Sequence, residues 1–205
     1  MRSNSSILVA TLAATLLSPG IRAADSPGPE DGVFQSQLRA VYLEPNHTTT
    51  FGYGSNLAGK LYPELSGEWF LGPPWSTELT LGAGTDFSLT DGDSIRLWPL
   101  TWTVKYQFAR QAGFGPYLGA GLNHTWSSLN TIPSNHAGID SSSTGWLVQA
   151  GADMRLTPTW FVNADVRYLG GLEPRNLLNG TYYPGAGRYK IDPFLFSLGV
   201  AYRWH

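Results

Sequence analysis

From residue 33 onward, large apolar side chains recur at every second position in eight separate runs. The last run is the clearest. Phe194, Phe196, Leu198, Val200, Tyr202 and Trp204 share one parity, while Ser197, Gly199, Ala201 and Arg203 hold the other. Successive side chains of a strand point to opposite faces, so the two sets lie on opposite sides of a pleated strand. The apolar side is the more continuous and is aromatic at both ends. A strand that faces lipid on one side and a barrel interior on the other reads this way.

The earlier runs repeat the pattern. Phe34, Leu38, Ala40 and Tyr42 oppose Gln35, Gln37 and Arg39; Leu65, Gly67, Trp69 and Leu71 oppose Ser66 and Glu68. Trp75, Thr77, Leu79 and Leu81 oppose Ser76, Glu78 and Thr80. Trp98, Leu100, Trp102, Val104, Tyr106 and Phe108 oppose Thr101, Thr103, Lys105 and Gln107. Leu118, Ala120, Leu122, His124 and Trp126 oppose Gly119, Gly121, Asn123 and Thr125. Two more runs set Trp146, Val148, Ala150, Ala152 and Met154 against Gln149, Gly151, Asp153 and Arg155, and Trp160, Val162, Ala164, Val166 and Tyr168 against Asn163, Asp165 and Arg167.

The connections alternate long and short: 46–63, 72–74, 84–94, 109–114, 127–143, 156–159 and 170–192. Bacterial outer-membrane barrels have short periplasmic turns and long external loops, and an even strand count returns both ends to the periplasm. The pattern therefore predicts an all-β, eight-stranded antiparallel transmembrane β-barrel over residues 33–205. A lipocalin-like or sandwich fold is the alternative, and it gives no reason for the strict alternation of connection length. Aromatic residues fall near both ends of the strands. Phe34, Trp69, Trp75, Phe108, Trp160 and Trp204 mark a periplasmic rim, and Tyr42, Trp98, Trp126, Trp146, Tyr168 and Phe194 an outer one.

The N-terminal segment fits that destination. Arg2 precedes an apolar run from Ile7 to Leu17, followed by Pro19, Gly20 and Ala23, the form of a secretory signal peptide cleaved after Ala23. The run is shorter than the ~20 apolar residues a spanning helix needs. Residues 1–23 are thus expected to be the signal peptide and 24–32 a short periplasmic lead. The chain has no cysteine, which excludes a disulfide scaffold and a thiolate metal site. Charged residues are 14% of the chain, against a usual value of about 25%. Without Arg2 and Arg22 the chain carries 11 basic and 15 acidic residues, a net charge of −4 with no basic run, so nucleic acid is not an expected partner.

Several segments resemble the outer-membrane protein W family. They are Arg39-Ala40-Val41-Tyr42-Leu43-Glu44-Pro45, Trp98-Pro99-Leu100 running on to Lys105-Tyr106-Gln107-Phe108, and Gly115-Pro116-Tyr117-Leu118-Gly119-Ala120-Gly121-Leu122-Asn123. Asn163-Ala164-Asp165-Val166-Arg167-Tyr168 and Ile191-Asp192-Pro193 complete the set, and together they span the whole mature chain. The resemblance implies a barrel that lets small, often hydrophobic molecules across or into the outer membrane. One departure is His205 after Trp204, where such barrels usually end on an aromatic residue.

The inward parity divides by height. On the periplasmic half it holds Gln35, Gln37, Arg39, Glu68, Glu78, Lys105, Gln107, Asp153, Arg155, Asn163, Asp165 and Arg203. Eight strands leave an interior that side chains can just fill, and unpaired charge there would be costly. Arg39, Glu68, Glu78, Lys105, Asp153, Arg155, Asp165 and Arg203 are therefore expected to form a polar floor, paired in a closed network or lining a hydrophilic pore. Above it, Val41, Leu43, Leu97, Pro99, Leu147, Leu169 and Leu195 are expected to line an apolar vestibule, with Arg167 at its lower edge.

Some small outer-membrane barrels are lipid A deacylases, which place His and Ser two residues apart on one strand face. Here the position two beyond His124 is Trp126, and Ser127 points the other way, so no nucleophile and base come within reach. His47, His136 and His205 have no metal-ligand spacing. The expectation is a non-enzymatic barrel without a cofactor. Its partners would be outer-membrane lipid and lipopolysaccharide, small hydrophobic solutes, and the barrel-assembly machinery during insertion. Two functions remain open at this point: a passive channel or carrier for small hydrophobic solutes, and a non-conducting structural or surface-interaction barrel that acts through its external loops.

Overall fold

The structure is a computed structural model that describes residues 33–44, 59–88, 94–108, 113–130, 137–139, 142–171, 176–178, 181–182 and 192–204. The expected signal peptide, the lead and His205 lie outside the described residues. The strands are β1 (Phe34–Glu44), β2 (Lys60–Gly72), β3 (Trp75–Gly82), β4 (Thr85–Ser88), β5 (Ser94–Gln107), β6 (Phe114–Asn130), β7 (Ala137–Ile139), β8 (Ser142–Arg155), β9 (Trp160–Gly170), β10 (Asn176–Leu178), β11 (Thr181–Tyr182) and β12 (Phe194–Trp204).

Eight of them form an antiparallel barrel in the order β3-β2-β1-β12-β9-β8-β6-β5, closed by pairing of β3 with β5. Closure removes every sheet edge, which is the condition for strands to cross lipid. β1 and β12 pair from Phe34↔Trp204 to Glu44↔Phe194, so the first and last strands seal the barrel and begin and end at the same rim. That rim is the lower, predicted periplasmic end. Three short connections lie there: 73–74, 108–113 and 156–159. In the first, Gly72 takes φ 104°, a left-handed conformation that glycine adopts without steric cost. In the last, the Thr157 hydroxyl accepts from the Trp160 amide at 3.0 Å.

The lipid-facing parity is exposed or half-buried, with Leu65 at 60% and Trp102 at 53%, a larger apolar surface than water-soluble proteins carry. Aromatic contacts mark both rims. Phe34–Trp69, Trp75–Tyr106–Phe108 and Trp160–Tyr202–Trp204 form the lower girdle, with centroids 4.8–5.3 Å apart. Trp146–Tyr168–Phe194 continues round the upper one at 5.0–5.6 Å.

The strands run further up than the alternation suggested. β2 starts at Lys60, inside the expected connection 46–63. Pro63 hid it, since a residue without an amide proton argues against a strand. Here Pro63 faces outward and its carbonyl accepts from the Ala83 amide at 2.9 Å. β4 lies in the expected connection 84–94 and continues the β3 side of the sheet against β5. β7, β10 and β11 lie in the connections expected at 127–143 and 170–192, and they join those connections in a separate three-stranded sheet.

Candidate functional site: the barrel lumen

The lumen is filled in layers. At the lower end the Arg203 guanidinium lies 4.7 Å from the Phe70 ring and 4.1 Å from the Phe161 ring. It donates to Gln35 Oε1 from Nη2 at 2.6 Å and from Nε at 3.1 Å. Both rings sit on inward positions of β2 and β9, beside the short turns.

Above this stopper Glu68 accepts four hydrogen bonds. Ser76 Oγ (2.6 Å) and Gln107 Nε2 (2.9 Å) reach Oε1, and Gln37 Nε2 (2.9 Å) and Lys105 Nζ (3.0 Å) reach Oε2. Lys105 also pairs with Glu78 Oε2 at 2.8 Å and lies 4.4 Å from the Tyr117 ring centroid. Asn163 Nδ2 bridges Asp153 Oδ1 (2.8 Å) and the Tyr117 hydroxyl (3.0 Å).

Arg39 is the hub of the next layer. Nη2 meets Glu78 Oε1 at 2.7 Å, Nη1 meets Asp165 Oδ2 at 2.9 Å, and Nε lies 3.0 Å from Glu64 Oε1 as an ion pair. Arg167 completes the ring, with two 2.8 Å bonds to Glu64 and one of 3.0 Å to Asp165. All these side chains are buried. In the ion-paired set, four carboxyls (Glu64, Glu68, Glu78, Asp165) face three cations (Arg39, Lys105, Arg167). Buried charge survives only with such pairing and hydrogen bonding.

The polar floor thus brings together Arg39, Glu68, Glu78, Lys105 and Asp165. Asp153 joins through Asn163, and Arg203 sits lower, among aromatic rings. Arg155 departs from the expectation. It is the last residue of β8 and its Nε donates to the Thr157 carbonyl at 3.1 Å, an exposed bond at the turn, because the strand ends there. Glu64 was missed, and Arg167, expected at the edge of an apolar region, is a full member of the network. Glu64 shares the parity of Ser66 and Glu68, so the signal was present once β2 is extended through Pro63.

The upper layer holds Val41, Leu147, Leu169 and Leu195, packed with Tyr62 and flanked by Leu43. Each of the four is at most 2% exposed, so they close on one another where an open vestibule was expected. The reason is Tyr62, an inward aromatic on the unforeseen part of β2 that fills the space between them. Pro99 lies against Tyr62 over Gly82, where an added Cβ would fall 2.6 Å from Pro99 Cγ and 2.9 Å from Tyr62 Cε2. Leu97 is half-buried one pleat further up β5. His124 faces outward, with Nδ1 2.8 Å from Thr144 Oγ1 and its ring against Trp126.

A closed antiparallel barrel with an apolar belt, two aromatic girdles and a charge-filled lumen defines a small transmembrane protein of the outer-membrane type. The outer membrane protein beta-barrel domain family matches residues 12–203. The chain is 30% identical to outer membrane protein W of Vibrio cholerae over 74% of this chain and 72% of that one, and it belongs to the outer-membrane protein W family. It is 31% identical to the outer-membrane protein y4mB of Sinorhizobium fredii, over 94% of this chain and 89% of that protein. The crystal structure of the outer membrane protein OprG from Pseudomonas aeruginosa superposes with a TM-score of 0.69 at 17% identity, covering 88% of this chain and all of that one. The protein resides in the bacterial outer membrane, with its apolar belt against lipid.

Proposed function

We propose that this barrel is a passive carrier of small hydrophobic molecules across the bacterial outer membrane. The observation that carries the reading is the apolar layer of Val41, Tyr62, Leu147, Leu169 and Leu195 set directly over the ionic network. The network leaves a hydrated solute no axial path, because its side chains are buried against one another across the lumen. The apolar layer accepts a molecule that water rejects. Its side chains come from five strands, so rotation of side chains, which is fast, is enough to admit a solute. With the axis blocked, the solute leaves sideways between strands into the membrane. The carrier performs no bond-breaking step and needs no cofactor, and lipopolysaccharide and the barrel-assembly machinery are its proposed partners in the envelope.

Leu147→Asp or Leu195→Asp should slow uptake of a hydrophobic solute into liposomes that hold the barrel. Unchanged uptake with normal insertion would overturn the reading. The packed lumen also favours a second one, a non-conducting structural barrel whose external connections do the work. Single-channel conductance and liposome uptake separate the two: a silent barrel that takes up no hydrophobic solute leaves only the second.

A further inference from the structure

Among the buried polar atoms of the lumen that lack a hydrogen-bond partner, two occupy matching places. Gln149 Nε2 is on β8, one pleat below Leu147; Ser197 Oγ is on β12, one pleat below Leu195. Their residues are 4% and 6% exposed. Between them runs β9, which pairs Arg167 with Gln149 and Asp165 with Ser197. The orphans thus flank β9 at the boundary between the apolar layer and the ionic network. Room for the Gln149 side chain comes from β6, where Gly119 stands opposite it. An added Cβ at Gly119 would fall 2.9 Å from both Gln149 Cγ and Thr103 Cγ2.

A buried donor left unmade costs free energy that a bound acceptor would recover. Arg167 and Asp165, the neighbours in register, are already committed to Glu64, to Arg39 and to each other. Their charge therefore cannot serve an incoming ion. Because carboxyls outnumber cations in that network, a carboxylate would also meet repulsion there. An ammonium fares no better, since it cannot accept from the Gln149 amide.

Building on the carrier reading, we propose that the solute is an apolar molecule bearing one neutral hydrogen-bond acceptor, such as a ketone, ester or alcohol. Its hydrocarbon body replaces contacts among Leu147, Leu169 and Leu195, and its head group takes the Gln149 amide and the Ser197 hydroxyl. Amide and hydroxyl form a polar step that a pure hydrocarbon does not use.

The test is uptake by barrel-containing liposomes of octane, methyl hexyl ketone and octanoate, each corrected for uptake by empty liposomes and for partitioning. The wild type should favour the ketone over octane by about five- to hundredfold, the worth of two hydrogen bonds, with octanoate slowest. In the Gln149→Leu/Ser197→Ala double variant the ketone-to-octane ratio should fall to about one. The ratio is the readout, so a general loss of transport cancels; Gln149→Met replaces the leucine if that variant does not insert. An unchanged ratio in the variant, as expected if the two groups merely hold water, overturns the inference, as does a preference for octanoate. A wild type that carries octane without preferring the ketone overturns this inference alone. One that carries neither overturns the carrier reading with it.

Discussion

Arg167 grips Glu64 across the lumen with two 2.8 Å hydrogen bonds, Nη1 to Oε2 and Nη2 to Oε1, although the residues lie 103 positions apart. The pair ties β9 to β2, which are not neighbours in the sheet, so the lumen is braced across its width. Removing one partner strands the other. Arg167→Met should destabilise the barrel by about 3–5 kcal/mol, since Glu64 and Asp165 would each lose a cationic partner. Urea unfolding in phosphatidylcholine vesicles measures this. The Arg167→Met/Glu64→Leu double variant should be more stable than the single one, because Glu64 is no longer a buried carboxylate short of a cation, and Asp165 keeps Arg39 at 2.9 Å; an equal or larger loss would show that the pair does not couple.

Arg39 holds three carboxyls at once: Glu64, Glu78 and Asp165. Arg39→Ala removes the hub and leaves a void lined with acid. Planar-bilayer recordings should give a larger conductance than the wild type, selective for cations, since the remaining ionic groups are mainly carboxyls. Identical traces would place the barrier to ions elsewhere.

Gly121 faces the lumen where β6 crosses β5 closely. An added Cβ would strike the Trp102 carbonyl oxygen and lie 2.7 Å from Thr103 Cα, both backbone atoms that cannot turn aside. Gly121→Ala should cost about 1–3 kcal/mol. At Gly67 the nearest obstacle is the Phe34 ring at 2.9 Å, which can rotate, so Gly67→Ala should cost less. Paired unfolding titrations would rank the two, and the reverse order would contradict this account of the strand contact.

Depth in the membrane should be readable on one face. Ala120 lies midway between the Phe114 and Trp126 ends of the lipid-facing row of β6, whereas Thr144 is beside His124 near the upper girdle. Ala120→Arg should destabilise by about 2–4 kcal/mol and Thr144→Arg by about 1 kcal/mol or less. Equal costs would mean that the two positions are at the same depth.

The barrel was legible because a strand that crosses lipid must alternate, and Leu65, Trp102, Val148 and Leu198 declare the lipid face whatever lies inside. The same parity placed Arg39, Glu68, Glu78, Lys105 and Asp165 in the lumen. It did not reach Glu64, because Pro63 interrupts the strand signal; the register with β1, from Ala40↔Pro63 to Leu43↔Lys60, and the hydrogen bond from Ala83 to the Pro63 carbonyl show that pairing continues. Arg155 shows the opposite error: correct parity at a strand end, where the side chain has the turn to bond to.

By itself, then, the sequence determined the number of barrel strands, the face taken by the residues of the alternating runs and the position of both aromatic rims. These follow from local periodicity and from the demand that lipid-facing groups be apolar. Only the tertiary structure decided which charges meet. Arg167 could have paired with any acid in the lumen, and closure of the barrel, with its particular stagger, brought Glu64 to it. Only the structure, too, turned an expected open vestibule into a packed layer, because Tyr62 reaches it from a strand whose upper half the alternation did not reveal.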